Sequence, residues 1–324
     1  TLTATGEPVL GTPSLVQRAA ATVRARFAAA AREALPAQSA AMLPALVLGD
    51  TAGVPDATAQ QFKTAGLTHL TAVSGANVTI ICGTVLFAAR LIGPRVAVAV
   101  AAVTLAGFVV VVQPSASVLR AALMGAIALL GILTARRRQA IPALAAAVLV
   151  LMIAAPQLAV DVGFALSVAA TAGLVLIAPG WSRRLVARGW PKPLADAVCV
   201  AVAAQLVTAP LIAGLSGTVS VVAVAANLAA APVIAPITVL GTAAAVLSTC
   251  WVGGAQLLIR FTGPELWWLL RVAQWAAAAP GATVPVPAGA AGVLLVGVAG
   301  ALGVWLWRSR WRRTGQAAAA VCAV

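Results

Sequence analysis

The sequence predicts an all-α, polytopic membrane bundle, with broken or re-entrant helices in the bilayer and amphipathic helices on its outer face. Three observations lead there. Apolar residues make up 62% of the 324 and charged residues 9%, whereas a soluble domain carries about 25% charged residues; mean hydropathy is +1.04. Apolar runs recur at lengths near the roughly 20 residues that cross a bilayer. Between them gather the basic residues behind a net charge of +14, as the bias toward positive cytoplasmic loops produces. Cys82, Cys199, Cys250 and Cys322 form no C-x-x-C pair, and His69 is the only histidine. No zinc-type ligand set is present, and neither a metal nor another cofactor is expected.

In chain order, residues 1–13 read as the tail of a preceding extracytoplasmic domain and 14–64 as interfacial helices of the outer face. Within the latter, Arg18, Arg24, Arg26 and Arg32 interrupt an Ala-rich helix from Ser14 to Leu35. A transmembrane unit of 65–315 follows, with about nine spans near 66–89, 95–112, 117–134, 140–155, 159–178, 194–214, 217–231, 233–252 and 288–307. Residues 316–324 read as the start of a further span. This threading puts Arg136 to Arg138, the group Arg183, Arg184, Arg188 and Lys192, and the group Arg308 to Arg313 on one side, the cytoplasmic one. The same bias decides 217–252, where Pro232 and Pro236 are expected to divide two short spans. A single passage there would move Arg308 to Arg313 outside. Ala255 to Ala279 mixes Arg260, Glu265 and Arg271 with Trp267, Trp268 and Trp275, a composition that sits at headgroup depth.

Polar residues inside apolar runs are the functional candidates, because lipid insertion does not call for them. Arg120 and Asp161 each lie a few residues below the outer edge of a span, hence at one depth. An ion pair between them is expected; the alternative is that Arg120 faces a wet cavity and meets a passing anion. Gln205 and Asn227 lie deeper, where interhelical hydrogen bonds of about 0.6–2 kcal/mol are the ordinary use of such side chains. Ser74-Gly75-Ala76-Asn77, just after His69, reads as a helix interruption near mid-membrane. Non-helical backbone is tolerated there only when buried in protein or facing water; a packed kink is the alternative.

Several ordered segments resemble the ComEC competence family. They are Leu46-Val-Leu-Gly-Asp50, Phe62-Lys-Thr-Ala-Gly-Leu-Thr-His-Leu-Thr-Ala-Val-Ser-Gly75, Pro114 to Met124, Asp161-Val-Gly-Phe-Ala-Leu-Ser167, Thr208-Ala-Pro-Leu211 and Ser220 to Pro232. One departure is Asn77, where the family usually has His. The resemblance implies a channel of the bacterial inner membrane that takes up single-stranded DNA during natural transformation. It also implies an outer oligonucleotide-binding-type domain and a metallo-β-lactamase-like domain in longer members. Here no H-x-H-x-D-H metal motif occurs, so the chain is read as a channel domain and not an enzyme.

Channel candidates are His69, Ser74, Gly75, Asn77, Arg120, Asp161, Gln205 and Asn227. Candidates for an outer entrance are Asp50, Lys63, Arg260, Trp267, Trp268 and Arg271, since cations and aromatic faces suit single strands. Without a G-x-x-x-x-G-K-[ST] loop, ATP-driven pulling has to come from another protein. Expected partners are single-stranded DNA, the lipid bilayer, other competence proteins (a DNA receptor and a cytoplasmic ATPase or helicase) and a second copy in a homodimer. Two other functions fit the composition: a secondary transporter of a small anion or lipid with Asp161 and His69 as a proton relay, and a scaffold for outer domains.

Overall fold

The computed structural model describes residues 14–112, 116–133 and 140–322, with backbone alone for 133 and 307–322. Helix α1 (Leu15–Ala34) starts where Ser14 and Gln17 form a reciprocal capping box, which satisfies two amides of the first turn. Pro36 ends that course and opens α2 (Ala37–Leu48), which closes on Gly49 at φ 75°. Then follow α3 (Asp56–Thr64) and the single turn α4 (Thr68–Thr71). The apolar runs give α5 (Gly75–Ala89), α6 (Pro94–Val111), α7 (Ala116–Leu133), α8 (Ala140–Ala154), a 3-10 turn (Pro156–Val160), α9 (Val162–Leu176), α10 (Ala178–Val186) and α11 (Lys192–Ser216). A short strand β1 (Thr218–Ser220) leads into α12 (Ala223–Leu247), α13 (Val252–Phe261) and α14 (Gly263–Ala278). Strand β2 (Thr283–Pro285) pairs antiparallel with β1, Val219 opposite Val284, and α15 (Ala290–Cys322) closes the order. Four stretches are long and apolar enough to cross a membrane: α6, Val162–Val186 across α9 and α10, α11 and α12. The fold is an all-helical membrane bundle.

Side-chain contacts fix the course of the helices. Gly75 faces Ala121, and Gly125 faces both Val78 and Leu105, so α5 and α7 start at the end of the bundle where α6 finishes. Arg120 Nε donates to Ser167 Oγ at 3.0 Å, bringing the start of α9 to the same end. Gly173 faces Ala203 and Val207, while Ser182 donates to Asp196. The α9–α10 stretch and α11 are therefore antiparallel, and α11 also finishes at that end. Lys192 and Asp196 form an ion pair at 2.5 Å near the opposite one.

Helix α12 corrects the threading. It runs unbroken through Pro232 and Pro236, so the expected spans 217–231 and 233–252 are one helix. Prolines persist in membrane helices when packing and local adjustment satisfy the freed carbonyls. Its start follows the end of α11 through β1. Its far end is marked by α1: Arg24 Nη1 donates to Val111 O at 2.9 Å, at the end of α6, and Arg26 Nη1 to Thr249 O at 2.7 Å, just past α12. Both ends of α12 thus lie toward one end of the bundle, and α12 is laid across it. The arginine distribution asked only for an even number of passages between Gly217 and Val252, and none satisfies it as well as two. Gly214 faces Val293 and Gly300 faces Leu206, so α15 runs antiparallel to α11. That course carries its basic segment toward the end where Arg183, Arg184 and Arg188 lie.

Three other expectations change. Residues 14–64 are not all a surface layer, because α2 is buried from Met42 through Leu48, wedged beside α12 where Gly241 faces Val47 and Leu43. The first span does not run from residue 66; α4 and an extended Ala72–Ser74 precede α5. Residues 316–322 continue α15 and do not start a separate span. Arg136 to Arg138 and residues 1–13 lie outside the described residues.

One apolar core joins α1, α2, α5, α6, α7, α12, α13 and α14, with Phe27, Met42, Leu43, Ile237, Ile259, Leu266 and Leu269 fully buried. By contrast α9 buries only Phe164 and Gly173, and Leu176, Val200 and Ile212 stay exposed along α9 and α11. Such faces suit hydrocarbon and not water.

Candidate functional site

The segment from Phe62 to Asn77 passes through the end of the bundle that α12 crosses. It is held first at Gly66, whose φ of +71° belongs to the left-handed region that glycine adopts without a Cβ penalty. A Cβ there would also meet that of Ala223 at 2.5 Å. Around this point Ser220 Oγ donates to Thr64 O at 2.7 Å. Asn227 Nδ2 donates to Ala223 O at 2.8 Å and Gly66 O at 3.4 Å. Gln205 Nε2 donates to Ser220 O at 3.3 Å. Gln205 therefore donates from α11 to strand β1 and Asn227 from α12 to the turn at Gly66, which together hold the loop, and His69 stands exposed just beyond it.

The segment then turns into α5. Ser74 is the N-cap residue, but no side chain caps the helix; its carbonyl accepts from Asn77 N at 3.1 Å. Gly75 and Asn77 thus belong to the first turn of α5, and the interruption lies just before them. Asn77 is buried and donates to Leu46 O at 3.1 Å, pinning α2 to α5. A backbone carbonyl at that depth needs a donor, since leaving one unsatisfied costs about 1–3 kcal/mol.

Facing Gly75 is Arg120. The residue is 5% exposed, and a Cβ on Gly75 would lie 3.3 Å from its Nη2. Nε is bonded to Ser167 Oγ, and Nη1 contacts the Met124 thioether at 3.4 Å. The expected ion pair is not made. Asp161 is exposed and instead caps α9, accepting from Phe164 N at 2.5 Å. Among the described residues no carboxylate pairs with Arg120. A guanidinium has five N–H donors; a hydroxyl and a thioether leave most of them available. The uncapped start of α5, with its partial positive charge, points to the same place. A buried cation beside a helix N-terminus, with no acidic partner among the described residues, makes this end of the bundle electropositive.

The outer candidates separate as well. Asp50 closes a turn by accepting from Ala52 N at 3.2 Å. Lys63 and Arg260 are exposed. Trp268 is structural: its Nε1 donates to Ala229 O at 2.8 Å, and its ring meets Trp275 edge-on at 6.1 Å. Trp267 and Arg271 instead line a cleft. Sequence reasoning gave no role to Ser167, Ser220, Met124 or Leu46. Each lies at one end of a segment that resembles the competence family, with Met124 closing the one that contains Arg120, and that position is the signal that marks them.

Fold and site together define a helical membrane protein with an electropositive polar site where α5, α7 and α9 begin. Compared with known families, residues 46–311 match the family described as "Competence protein". The chain belongs to the competence protein family, whose role is DNA uptake. No significant match exists among curated proteins or solved structures.

Proposed function

We propose that this chain forms a passage for single-stranded DNA through the bacterial cytoplasmic membrane, crossing it several times. The observation that carries the reading is the buried Arg120 guanidinium, which has no acidic partner among the described residues and lies beside the uncapped start of α5. Burying an unpaired cation costs several kcal/mol, so a structural role alone gives little reason to keep one. A phosphodiester passing Arg120 would supply the missing charge and accept from the free N–H groups. One such site binds each phosphate weakly, which suits a strand that must move on. A driving partner supplies the energy, and the all-helical membrane fold supports a non-enzymatic part.

The test is Arg120→Gln in a naturally transformable cell, following labelled DNA at the surface and in the cytoplasm. A charged hydrogen bond is worth about 1.5–3 kcal/mol, so internalisation falls roughly 10- to 150-fold while surface binding persists, and Arg120→Lys retains part of it. Normal internalisation by the Gln variant would overturn the proposal. A scaffold tolerates the change; an anion transporter would lose anion flux and keep DNA uptake.

A further inference from the structure

A second feature lies on α14, on the side of the bundle crossed by α12. Trp267 and Arg271 are four residues apart, on one face of the helix, with the guanidinium 5.7 Å from the centre of the indole ring. They form one wall of a cleft of about 430 Å³, completed by Gln274 and, across from it, by the α1–α2 corner at Pro36, Gln38 and Ser39. That volume is in the range of small-molecule sites, about 300–1,000 Å³.

Neighbouring residues show what sets these two apart. Trp268 spends its indole N–H on Ala229 O. Trp267 is 53% exposed, and no hydrogen bond to its ring nitrogen exists among the described residues. Among the described residues Arg271 donates only to Gln274 Oε1, at 3.3 Å, and no Asp or Glu lines the cleft. Gln38 uses its amide N–H on Thr58 Oγ1, which leaves its carbonyl as an acceptor. An aromatic face, an unpaired cation and amide edges offering both donors and acceptors are what a nucleotide presents partners for: base π-face, phosphate and base edge.

We propose that this cleft binds one nucleotide of single-stranded DNA, its base stacked on Trp267 and its phosphate on Arg271. The inference rests on the passage reading, to which it adds a place where the strand docks. Helix α14 is bonded to α12 at Ala229, close to Asn227, so the cleft lies in the same layer as the loop that leads to Arg120.

The experiment uses the purified protein in nanodiscs and fluorescein-labelled oligothymidylate, read by anisotropy. Base–aromatic stacking is worth about 1–3 kcal/mol, so Trp267→Ala weakens binding about 5- to 150-fold, Trp267→Phe restores part of it, and Trp275→Ala has little effect. Arg271→Gln lowers the slope of log affinity against log salt by about 0.7, as for one phosphate contact to a single strand. Unchanged oligothymidylate binding by Trp267→Ala and Arg271→Gln overturns the cleft. So does a loss seen only as weaker binding of detergent-solubilised protein to anionic phosphatidylglycerol vesicles, which would make it a lipid headgroup site. The two readings fail separately: if Arg120→Gln blocks internalisation while the cleft variants bind normally, only the cleft falls. If Arg120→Gln internalises DNA normally and oligothymidylate does not bind, both fall.

Discussion

Arg120 and Ser167 are joined at 3.0 Å, Nε to Oγ, and this contact stands where depth alone suggested an ion pair between Arg120 and Asp161. Because Asp161 acts as the N-cap of α9, its substitutions should follow capping chemistry. Asp161→Asn is expected to be nearly neutral, and Asp161→Ala to cost about 1 kcal/mol. A double-mutant cycle of Asp161→Asn with Arg120→Gln should show coupling within about 0.5 kcal/mol, as for groups that share no partner. Thermal unfolding in detergent measures it; coupling of 2 kcal/mol or more would restore the ion pair.

Gly75→Ala should separate function from stability. Alanine is a better helix former than glycine, so at this first position of α5 the helix itself does not lose. The added methyl, however, would stand 3.2 Å from Ala121 Cβ and 3.3 Å from Arg120 Nη2, tighter than ordinary packing, and pushes the guanidinium away. We expect DNA internalisation to fall at least about fivefold with a melting temperature at or slightly above that of the unmodified protein. A variant that melts early and internalises normally would contradict this arrangement.

The membrane bundle was legible because hydropathy and charge act locally, residue by residue. A helix start was legible at Pro94, whereas Gly217, expected to open a span, instead caps the end of α11. Residues such as Arg120 and Gly75 stood out because each is costly where it sits. Their partners were not legible: Asp161 had the right depth and charge for Arg120, but its own backbone offered the nearer bond. The course of α12 was hidden for a similar reason. Parity of the arginine-rich loops cannot tell two passages from none, and only the hydrogen bonds of Arg24 and Arg26 reveal where the helix ends.

Asn77 tests whether a side chain at this position works by donating a bond or by titrating. Its amide supplies Leu46 O in a buried place. Asn77→Ala removes the donor and is expected to cost about 1–3 kcal/mol, lowering the melting temperature. Asn77→His keeps an N–H donor and should retain more stability than the Ala variant. Equal losses in the two variants would mean that the bond to Leu46 contributes little.

The course of α12 gives the last prediction. Ser216 at the end of α11 and Cys250 just past α12 both belong to the end of the bundle where α6 finishes. Cys250 is already exposed. In a background with Cys82, Cys199 and Cys322 replaced by Ala, Cys250 should react with a membrane-impermeant maleimide applied from one side of sealed cells. A cysteine placed at Ser216, with Cys250 also replaced, should react from that same side. A cysteine at Arg188, between α10 and α11, should be protected until the membrane is opened. If α12 instead crossed the bilayer once, Cys250 would be labelled from the side of Arg188, opposite Ser216. That outcome would also place the basic segment of α15 away from Arg183 and Arg184, against the positive-inside bias. The bonds from Arg24 to Val111 and from Arg26 to Thr249 leave too little reach for it, since two neighbouring side chains on one helix cannot hold opposite faces of a hydrocarbon layer about 30 Å thick.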